Sequence, residues 1–421
     1  MDINSLLQPF QHFGIHLGLE RITKLLENLG NPHHQVPMIH VAGTNGKGSV
    51  CAYLSSILTE AGYCTGRYTS PHLVDWTERI CLNEQLIPGE LLYQLLQQVQ
   101  AAISEDEESP TQFEVITAAA WLYFAQQKVD IAVVEVGLGG RLDATNVCAN
   151  PLITIITSIS REHWQQLGST ITEIAGEKAG ILKPGCPVVI GLLPPDAQEV
   201  VRSRSLKLGC PVIIPQPARQ IAPGWAEYET IQNLESIKYP LPLQGQIQLA
   251  NSALALAAIE ILQQQNWEIS KEAIVQGIAK TRWLGRMQWT TWNNHKLLLD
   301  GAHNPAAAKI LRDYVDSLEN SVRGSRLTWV MGMLSTKDHE EIFKALLRPN
   351  DRLYLVPVPD HSSAKPVELA KLAQNICPEL GFCTTYPDLS SALTAAFSSS
   401  EDNLVVLCGS LYLVGNFLGK L

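Results

Sequence analysis

The densest chemistry in the 421-residue chain lies at HVAGTNGKGS, residues 40–49. There an apolar run enters a glycine-rich turn, then Lys47 and a hydroxyl residue, before the helical pattern VCAYLSSILTEAG. A strand, a glycine turn and a helix start make an anion site: bare backbone N–H groups converge, the helix dipole presents its positive end, and a lysine adds mobile charge. Gly43, Gly46 and Gly48 let the main chain approach such an anion. The spacing departs from G-x-x-x-x-G-K-[ST], since position 41 is Val and Gly48 stands between Lys47 and Ser49. The bland alternative is an ordinary strand-to-helix turn with a surface lysine.

A phosphate loop of this kind calls for Mg²⁺, which takes hard oxygen ligands and keeps several waters. Glu135 closes the strand DIAVVEVGLGG at the carboxyl edge, where open α/β sheets hold their ligands; its other reading is a surface glutamate. Ser70 in YTSPHL and His163 in SISREHWQQLG follow turn or strand signals, and a lone Ser or His there is more often structural. Spacing alone does not make the three converge. Lys178, in IAGEKAGI, lies on a helical pattern where pairing with Glu173 or Glu177 in solvent is the simplest account. LDGAHNP (299–305) sets Asp300, His303 and Asn304 on the turn after a strand, a place for ligand contacts, while Asn304 before Pro305 also suits a helix N-cap.

The elements that must position these residues follow a rhythm. PMIHVAG (37–43), DIAVVEVG (130–137), PLITIITSI (151–159) and CPVVIG (186–191) are short continuous apolar runs between helical patterns, the signature of parallel strands covered on both faces. Between about 205 and 245 the rhythm gives way to Pro- and Gln-containing stretches, read as short antiparallel strands or an irregular flap. Helical runs at about 249–265 and 270–280 follow, then a linker over about 281–294. Alternation restarts at KLLLDGAHN (296–304), with strands near 326–332, 352–356 and 403–408 and helices beginning near 305, 338, 366 and 389. The expectation is α/β throughout, in two units: residues 1–294, including the linker, and a smaller one over 295–421.

Composition narrows the classes of function. With 46% hydrophobic and 17% charged residues the chain has material for buried cores and none of the bias of disordered chains. A net charge of −10 repels nucleic-acid backbones and anionic membranes. Nine scattered cysteines without a C-x-x-C pair suggest neither a disulfide frame nor a thiolate zinc site and fit a reducing cytosol. The start MDINSLLQPFQHFGIHLGLERI lacks an export signal, and no window nears 18 uninterrupted apolar residues, so no membrane span is expected. The charge run EDEE (105–108) reads as a solvated loop.

The motifs together resemble the folylpolyglutamate synthase and dihydrofolate synthase family, within the Mur-type ligases that join amino acids to carboxylates. The resemblance spans nearly the whole chain: GLERITKLLENLGNP (18–32), HVAGTNGKGS (40–49), TSPHL (69–73), QFEVIT (112–117), EVGLGGRLDATN (135–146), LGSTITEIAGEKAGI (167–181), LPLQGQIQLAN (241–251), GRMQ (285–288), LDGAHNP (299–305) and GSLYLVG (409–415). GTNGKGS and GAHNP occur across related ligases, whereas EVGLGGRLDATN, EKAGI and GSLYLVG look specific to the folate branch.

The resemblance implies an amino-terminal P-loop ATPase-like domain with a parallel-rich sheet, a smaller Rossmann-like carboxyl-terminal domain, and an active site in the cleft between them. It implies that Gly46, Lys47, Gly48 and Ser49 hold the ATP phosphates, that Ser70, Glu135 and His163 ligate Mg²⁺, and that Asn251, Arg286 and Asp300 contact the nucleotide. Lys178 matches the lysine the family carbamylates, which would bridge a second metal ion. Thr111, Gln112, Phe113, Leu142 and Asp143 fall where bifunctional members hold the pterin, and His303 near the incoming amino acid and the γ-phosphate. Departures stand at Glu162, where the family often has Asp, at Ile247 and Gln248, where it often has His-Gln, and at Leu284-Gly285-Arg286, where Pro-Gly-Arg is usual.

The implied reaction makes a carboxylate electrophilic by phosphorylating it with ATP and captures the acyl phosphate with the amine of L-glutamate. Dihydropteroate and folates are the implied acceptors, with both synthase activities favoured over a folylpolyglutamate synthase alone or a cell-wall peptide ligase. A cytoplasmic monomer without nucleic-acid or membrane partners completes the expectation.

Overall fold

The strand Met38–Ala42 (β1) is buried at every position, as its sequence MIHVA requires of a strand with covered faces. It lies at the centre of an eight-stranded sheet in a computed structural model describing residues 2–13, 17–104, 106, 108–231, 235–319, 327–398 and 404–420. The other strands are β2 (Thr65–Tyr68), β3 (Ile80–Leu82), β4 (Gln85–Leu86), β5 (Ile131–Glu135), β6 (Ile153–Ile156), β7 (Val188–Ile190) and β8 (Val212–Ile213). Their order is β4-β3-β2-β5-β1-β6-β7-β8, with β3 and β4 antiparallel and the rest parallel. β1 pairs in parallel with β5 on one side and β6 on the other. The loops leaving β5, β1 and β6 therefore emerge side by side at one carboxyl edge, the ligand edge of an open α/β sheet.

The helix Lys47–Glu60 follows β1 and is buried from Gly48 to Leu58, consistent with its apolar residues lying all round rather than on one stripe. It is clasped by the helix Lys271–Lys280: Gly277 leaves no room for a Cβ against the Ile57 backbone, and Ser56 Oγ donates to the Gly277 carbonyl at 2.6 Å. Within the 205–245 region a helix runs to Leu208 and β8 joins the parallel sheet, against the expectation of antiparallel strands or a flap throughout, while β9 (Arg219–Ala222), β10 (Trp225–Glu229) and β11 (Ser236–Pro240) form an antiparallel sheet in the order β11-β10-β9. Tyr228 on β10 donates to Glu260 of the helix Ile247–Gln264 at 2.7 Å, anchoring this sheet.

A second compact unit holds residues 283–421 with 243–247, and the first holds 1–242 with 248–282. Its strands β12 (Gln288–Trp292), β13 (His295–Leu299), β14 (Leu327–Met331), β15 (Arg352–Leu355), β16 (Phe382–Thr385) and β17 (Leu404–Cys408) run in the order β12-β13-β17-β14-β15-β16. The sequence reading places 281–294 in a linker of the first domain. In the structure β12 pairs antiparallel with β13 from Gln288–Leu299 to Trp292–His295, so residues 288–292 of this segment are a strand of the second sheet. All β13–β17 neighbours are parallel, with Trp329, Leu355 and Val406 in the core on one face.

All nine cysteines are free, and all but Cys64 and Cys383 are buried. Among the described residues no helix is long and apolar enough to cross a membrane. Of the EDEE run, Glu105 and Glu107 lie outside the described residues.

Candidate active site

The glycine turn is held from its flank by hydroxyl groups at the end of β6. Thr44 donates its N–H to the Ser158 carbonyl at 2.7 Å, Asn45 donates to Ser158 Oγ at 3.0 Å, and Thr157 Oγ1 donates to the Asn45 carbonyl at 2.7 Å. Ser160 donates its N–H to Thr44 Oγ1 at 3.0 Å. Gly46, at the N-cap of Lys47–Glu60, has φ +90°, open to glycine and costly for a residue with a Cβ. A Cβ there would lie 2.5 Å from Asn251 Oδ1, so the asparagine expected at the nucleotide packs on the turn. Asn251 is held by Gln248 Oε1 at 3.1 Å, and Gln248 Nε2 reaches Ser49 Oγ at 3.5 Å. Gln248 thus takes a structural place where a histidine-glutamine pair is usual.

Lys47 Nζ donates to the Thr44 carbonyl at 3.3 Å and lies 3.8 Å from Glu135 Oε1. Glu135 is buried at the end of β5 and its Oε2 accepts the Ser70 N–H at 3.2 Å. Lys47, Glu135 and Ser70 therefore gather beside the turn. His163 caps the short helix Trp164–Leu167 with φ +51°, its Nε2 3.9 Å from Glu162 Oε1, on the loop whose earlier residues grip the turn. Among the described residues no group of three or more His, Cys, Asp and Glu side chains is arranged as a metal cage. The Ser70 hydroxyl and the buried Glu135 carboxylate are oxygen donors of the kind Mg²⁺ takes, and Mg²⁺ seldom uses an all-protein shell.

Lys178 is not the solvated lysine its helical pattern suggests. It lies on the helix Ile171–Ala179, fully buried, and donates to the Gly43 carbonyl at 2.8 Å. Burial first, and then the nearby Lys47 charge, pulls its ammonium down to about 7. Near neutral pH a large share of it is therefore a free amine, the form that reacts with carbon dioxide. The expected partner Glu177 instead takes Arg141 at 2.9 Å, stitching the loop after β5 onto the same helix. Glu173 closes a capping box with Thr170.

Of the five residues expected at the pterin, Phe113 lies against Gly137 and Asp143 against Leu138. Phe113 packs against Gly137, where a Cβ would lie 2.5 Å from Phe113 Cζ, and 6.2 Å from the Tyr68 ring. Asp143 is buried; its Oδ2 accepts the Leu138 N–H at 2.7 Å, and its Oδ1 accepts the Thr145 N–H and hydroxyl at 3.0 and 2.6 Å. Thr145 Oγ1 in turn lies 2.9 Å from Nε2 of His40 on β1. Thr111 caps the helix Gln112–Gln126 in a capping box with Glu114, and Gln112 Nε2 contacts the Leu7 carbonyl at 3.5 Å. The Leu142 carbonyl accepts the Gly18 N–H at 3.3 Å. Arg21 grips both oxygens of Glu114 at 3.1 and 3.0 Å. The segment before β1 thus braces this wall, a role sequence reasoning does not assign to Arg21 although it lies in the GLERI motif.

In the second unit, Asp300 ends the β13 segment and ties two turns: Oδ2 accepts the Met287 N–H at 2.9 Å and Oδ1 the Ala302 N–H at 2.8 Å. Burial raises its carboxyl above the usual range, against the opposing pull of Arg286. The turn at Leu284-Gly285-Arg286 holds without proline, because Gly285 donates to Gln288 Oε1 at 2.8 Å and accepts from Gly301 at 2.8 Å. His303 Nδ1 faces the Gly301 carbonyl at 2.7 Å, so it carries the proton and leaves Nε2 as the acceptor in the neutral ring. Asn304 Oδ1 accepts the Ala307 N–H at 2.9 Å, capping the helix Pro305–Glu319 as its place before Pro305 predicts.

Known proteins match both units. The Mur ligase middle domain family matches residues 41–259, and the dihydrofolate synthetase C-terminal domain family matches residues 285–420. The dihydrofolate synthase/folylpolyglutamate synthase of Bacillus subtilis is 34% identical over 100% of this chain and 98% of its own length. The dihydrofolate synthetase of Saccharomyces cerevisiae is 36% identical, covering 96% and 97%. The structure of Escherichia coli FolC in complex with DHPP and ADP superposes with a TM-score of 0.83 at 30% identity, covering 99% of this chain and 96% of that one. The chain therefore belongs to the dihydrofolate synthase/folylpolyglutamate synthase family of the Mur ligases and is an ATP-dependent ligase.

Proposed function

We propose that the protein joins L-glutamate to dihydropteroate, making dihydrofolate, and also to the γ-carboxyl of folate glutamates, through an acyl phosphate. The observation that carries this reading is the gathering of Lys47, Glu135 and Ser70 at a glycine turn bordered by the Gly137–Thr145 loop. Gly46, Lys47, Gly48 and Ser49 bind the triphosphate, and Lys47 offsets charge on the γ-phosphoryl group as it passes to the acceptor carboxylate. The glutamate amine then attacks the acyl carbon and phosphate departs, leaving an amide. Thr111, Gln112, Phe113, Leu142 and Asp143 form the acceptor wall. Asn251, Arg286 and Asp300 serve the nucleotide, and His303 the incoming glutamate.

Ser70, Glu135 and His163 would hold Mg²⁺, which supplies charge neutralisation to the phosphates when bound. The neutral amine of Lys178 supports carbamylation, which would give a carboxylate at the back of the turn for a second ion. Nine free thiols support a reducing cytoplasm. We take the enzyme to be a monomer, which sedimentation equilibrium tests.

A second reading, dihydrofolate synthesis alone, has in its favour that the yeast relative is named dihydrofolate synthetase. ADP release measured with dihydropteroate or tetrahydrofolate, each with and without glutamate, separates the two. Glutamate-dependent release with both acceptors supports the dual reading, release with dihydropteroate alone the second, and release with neither overturns both.

A further inference from the structure

His40 is fully buried in the middle of β1, three residues before the glycine turn, and reaches no nucleotide residue. Among the described residues its side-chain hydrogen-bond partner is Thr145, in the loop after β5. A buried imidazole in a central strand costs solvation, which an aliphatic side chain would avoid, so its bond to Thr145 calls for an account.

The Thr145 hydroxyl has a single proton, and the 2.6 Å contact to Asp143 Oδ1 uses it. At the 2.9 Å contact with His40 the hydroxyl must therefore accept, and His40 must donate from Nε2 as the neutral tautomer. Burial supports this, holding the imidazole down to about 3. The result is a directed chain, His40 to Thr145 to Asp143, and its last oxygen pair also receives the amides of Leu138 and Thr145. β1 and β5 are bonded through their backbones up to the Val41–Glu135 pair, but the loop beyond has left the ladder. The histidine thus extends the tie between the strand that leads into the phosphate turn and the loop assigned to the acceptor.

We propose that His40 is a positioning residue: through Thr145 it fixes the Asp143 carboxylate and hence the acceptor-binding loop relative to the phosphate turn. The proposal rests on the reading of Asp143 as part of the acceptor wall. It deepens that reading by making acceptor affinity depend on a strand residue that touches no substrate.

The test compares His40→Leu, His40→Gln, Thr145→Val and Asp143→Asn in the full-length enzyme, by steady-state kinetics with dihydropteroate, glutamate and ATP. We expect His40→Leu to raise KM for dihydropteroate about tenfold, with KM for ATP within twofold of wild type, since one buried hydrogen bond is lost. His40→Gln, whose amide can donate from the Nε2 position, should recover most of that loss. Combining His40→Leu with Thr145→Val should cost little beyond either alone. An unchanged dihydropteroate KM in His40→Leu, equal rises in both KM values, or full additivity overturns the proposal. Asp143→Asn distinguishes the two levels: if it leaves the dihydropteroate KM unchanged, the acceptor-wall reading fails and the proposal with it. If Asp143→Asn raises KM while His40→Leu does not, the positioning role alone fails. Should His40→Leu not fold, nitrogen-15 NMR of the wild-type imidazole, assigned by its absence in His40→Gln, decides the matter. The Nε2-protonated neutral ring supports the chain, and the Nδ1-protonated ring or a titrating one overturns it.

Discussion

Lys178 Nζ lies 2.8 Å from the Gly43 carbonyl oxygen, joining the helix Ile171–Ala179 to the first glycine of the phosphate turn through one buried bond. A neutral amine still donates this bond, though more weakly than an ammonium, so the turn keeps part of its support when the lysine loses its proton. The pH dependence follows. The folded-state value near 7 lies below that of the unfolded chain, 10.5, so the unfolded state binds more protons between them. The cost of the buried charge is fully present below about pH 7 and is relieved as pH rises through that window. Relative to Lys178→Met, wild type should gain stability at up to about 1.4 kcal/mol per pH unit above pH 7. Urea denaturation of both proteins at pH 6 and in steps from 7 to 9 checks the sign.

The same amine should take up carbon dioxide. Intact-protein mass spectrometry after incubation with bicarbonate at pH 8 should register one carbamate in wild type and none in Lys178→Met. Glutamate-dependent ADP release should rise with bicarbonate in wild type only.

Lys47 is tied to the Thr44 carbonyl and stands near Glu135, contacts that orient it without filling a core. Lys47→Ala and His163→Ala should each lower glutamate-dependent ADP release by about 100-fold or more, the first by removing a charged group at a phosphoryl transfer site and the second by removing a ligand assigned to the metal ion. Their circular dichroism should match wild type. Turnover retained in both would remove the assigned roles.

Gly46→Ala combines a positive φ with a Cβ 2.5 Å from Asn251 Oδ1. A stability loss of about 1–3 kcal/mol and at least a tenfold weaker ADP Kd are expected. Adding Asn251→Ala should relieve the crowding but leave the backbone strain, so stability should recover in part, whereas ADP affinity should not, because Asn251 itself serves the nucleotide. Urea denaturation measures the stability and calorimetric titration with ADP the affinity.

Arg21→Met would leave Glu114 buried without its guanidinium, a change that costs about 3–5 kcal/mol where a buried pair is broken. Because Glu114 also closes the capping box of Thr111, dihydropteroate binding should weaken alongside the denaturation midpoint. An unchanged midpoint would show that Glu114 finds another donor.

Some of this architecture is legible in the residues and some is not. Continuous apolar runs announce β1, β5, β6 and β7, because a strand covered on both faces has no polar side to hide. The glycine turn and the Asn304 cap are likewise local. β2, with the sequence TGRY, gives no such signal: its buried Arg67 is made tolerable by Glu84, a partner from the turn between β3 and β4. β12 reads as linker because its strand character comes from pairing with β13 rather than from its own composition. The solvated reading of Lys178 fails for a similar reason. Helical periodicity places it beside Glu177, but Arg141 from a distant loop takes that carboxylate, and the lysine turns inward. Thr157, Ser158 and Ser160 could have been found, since a strand that ends in a run of hydroxyls is equipped to hold a neighbouring turn.

The distribution of thiols has a practical consequence. Cys64 lies in one compact unit and Cys383 in the other, and the remaining seven thiols are sheltered in the interior. Maleimide dyes offered to the native enzyme should therefore react at this pair first, labelling each compact unit once with no residue replaced.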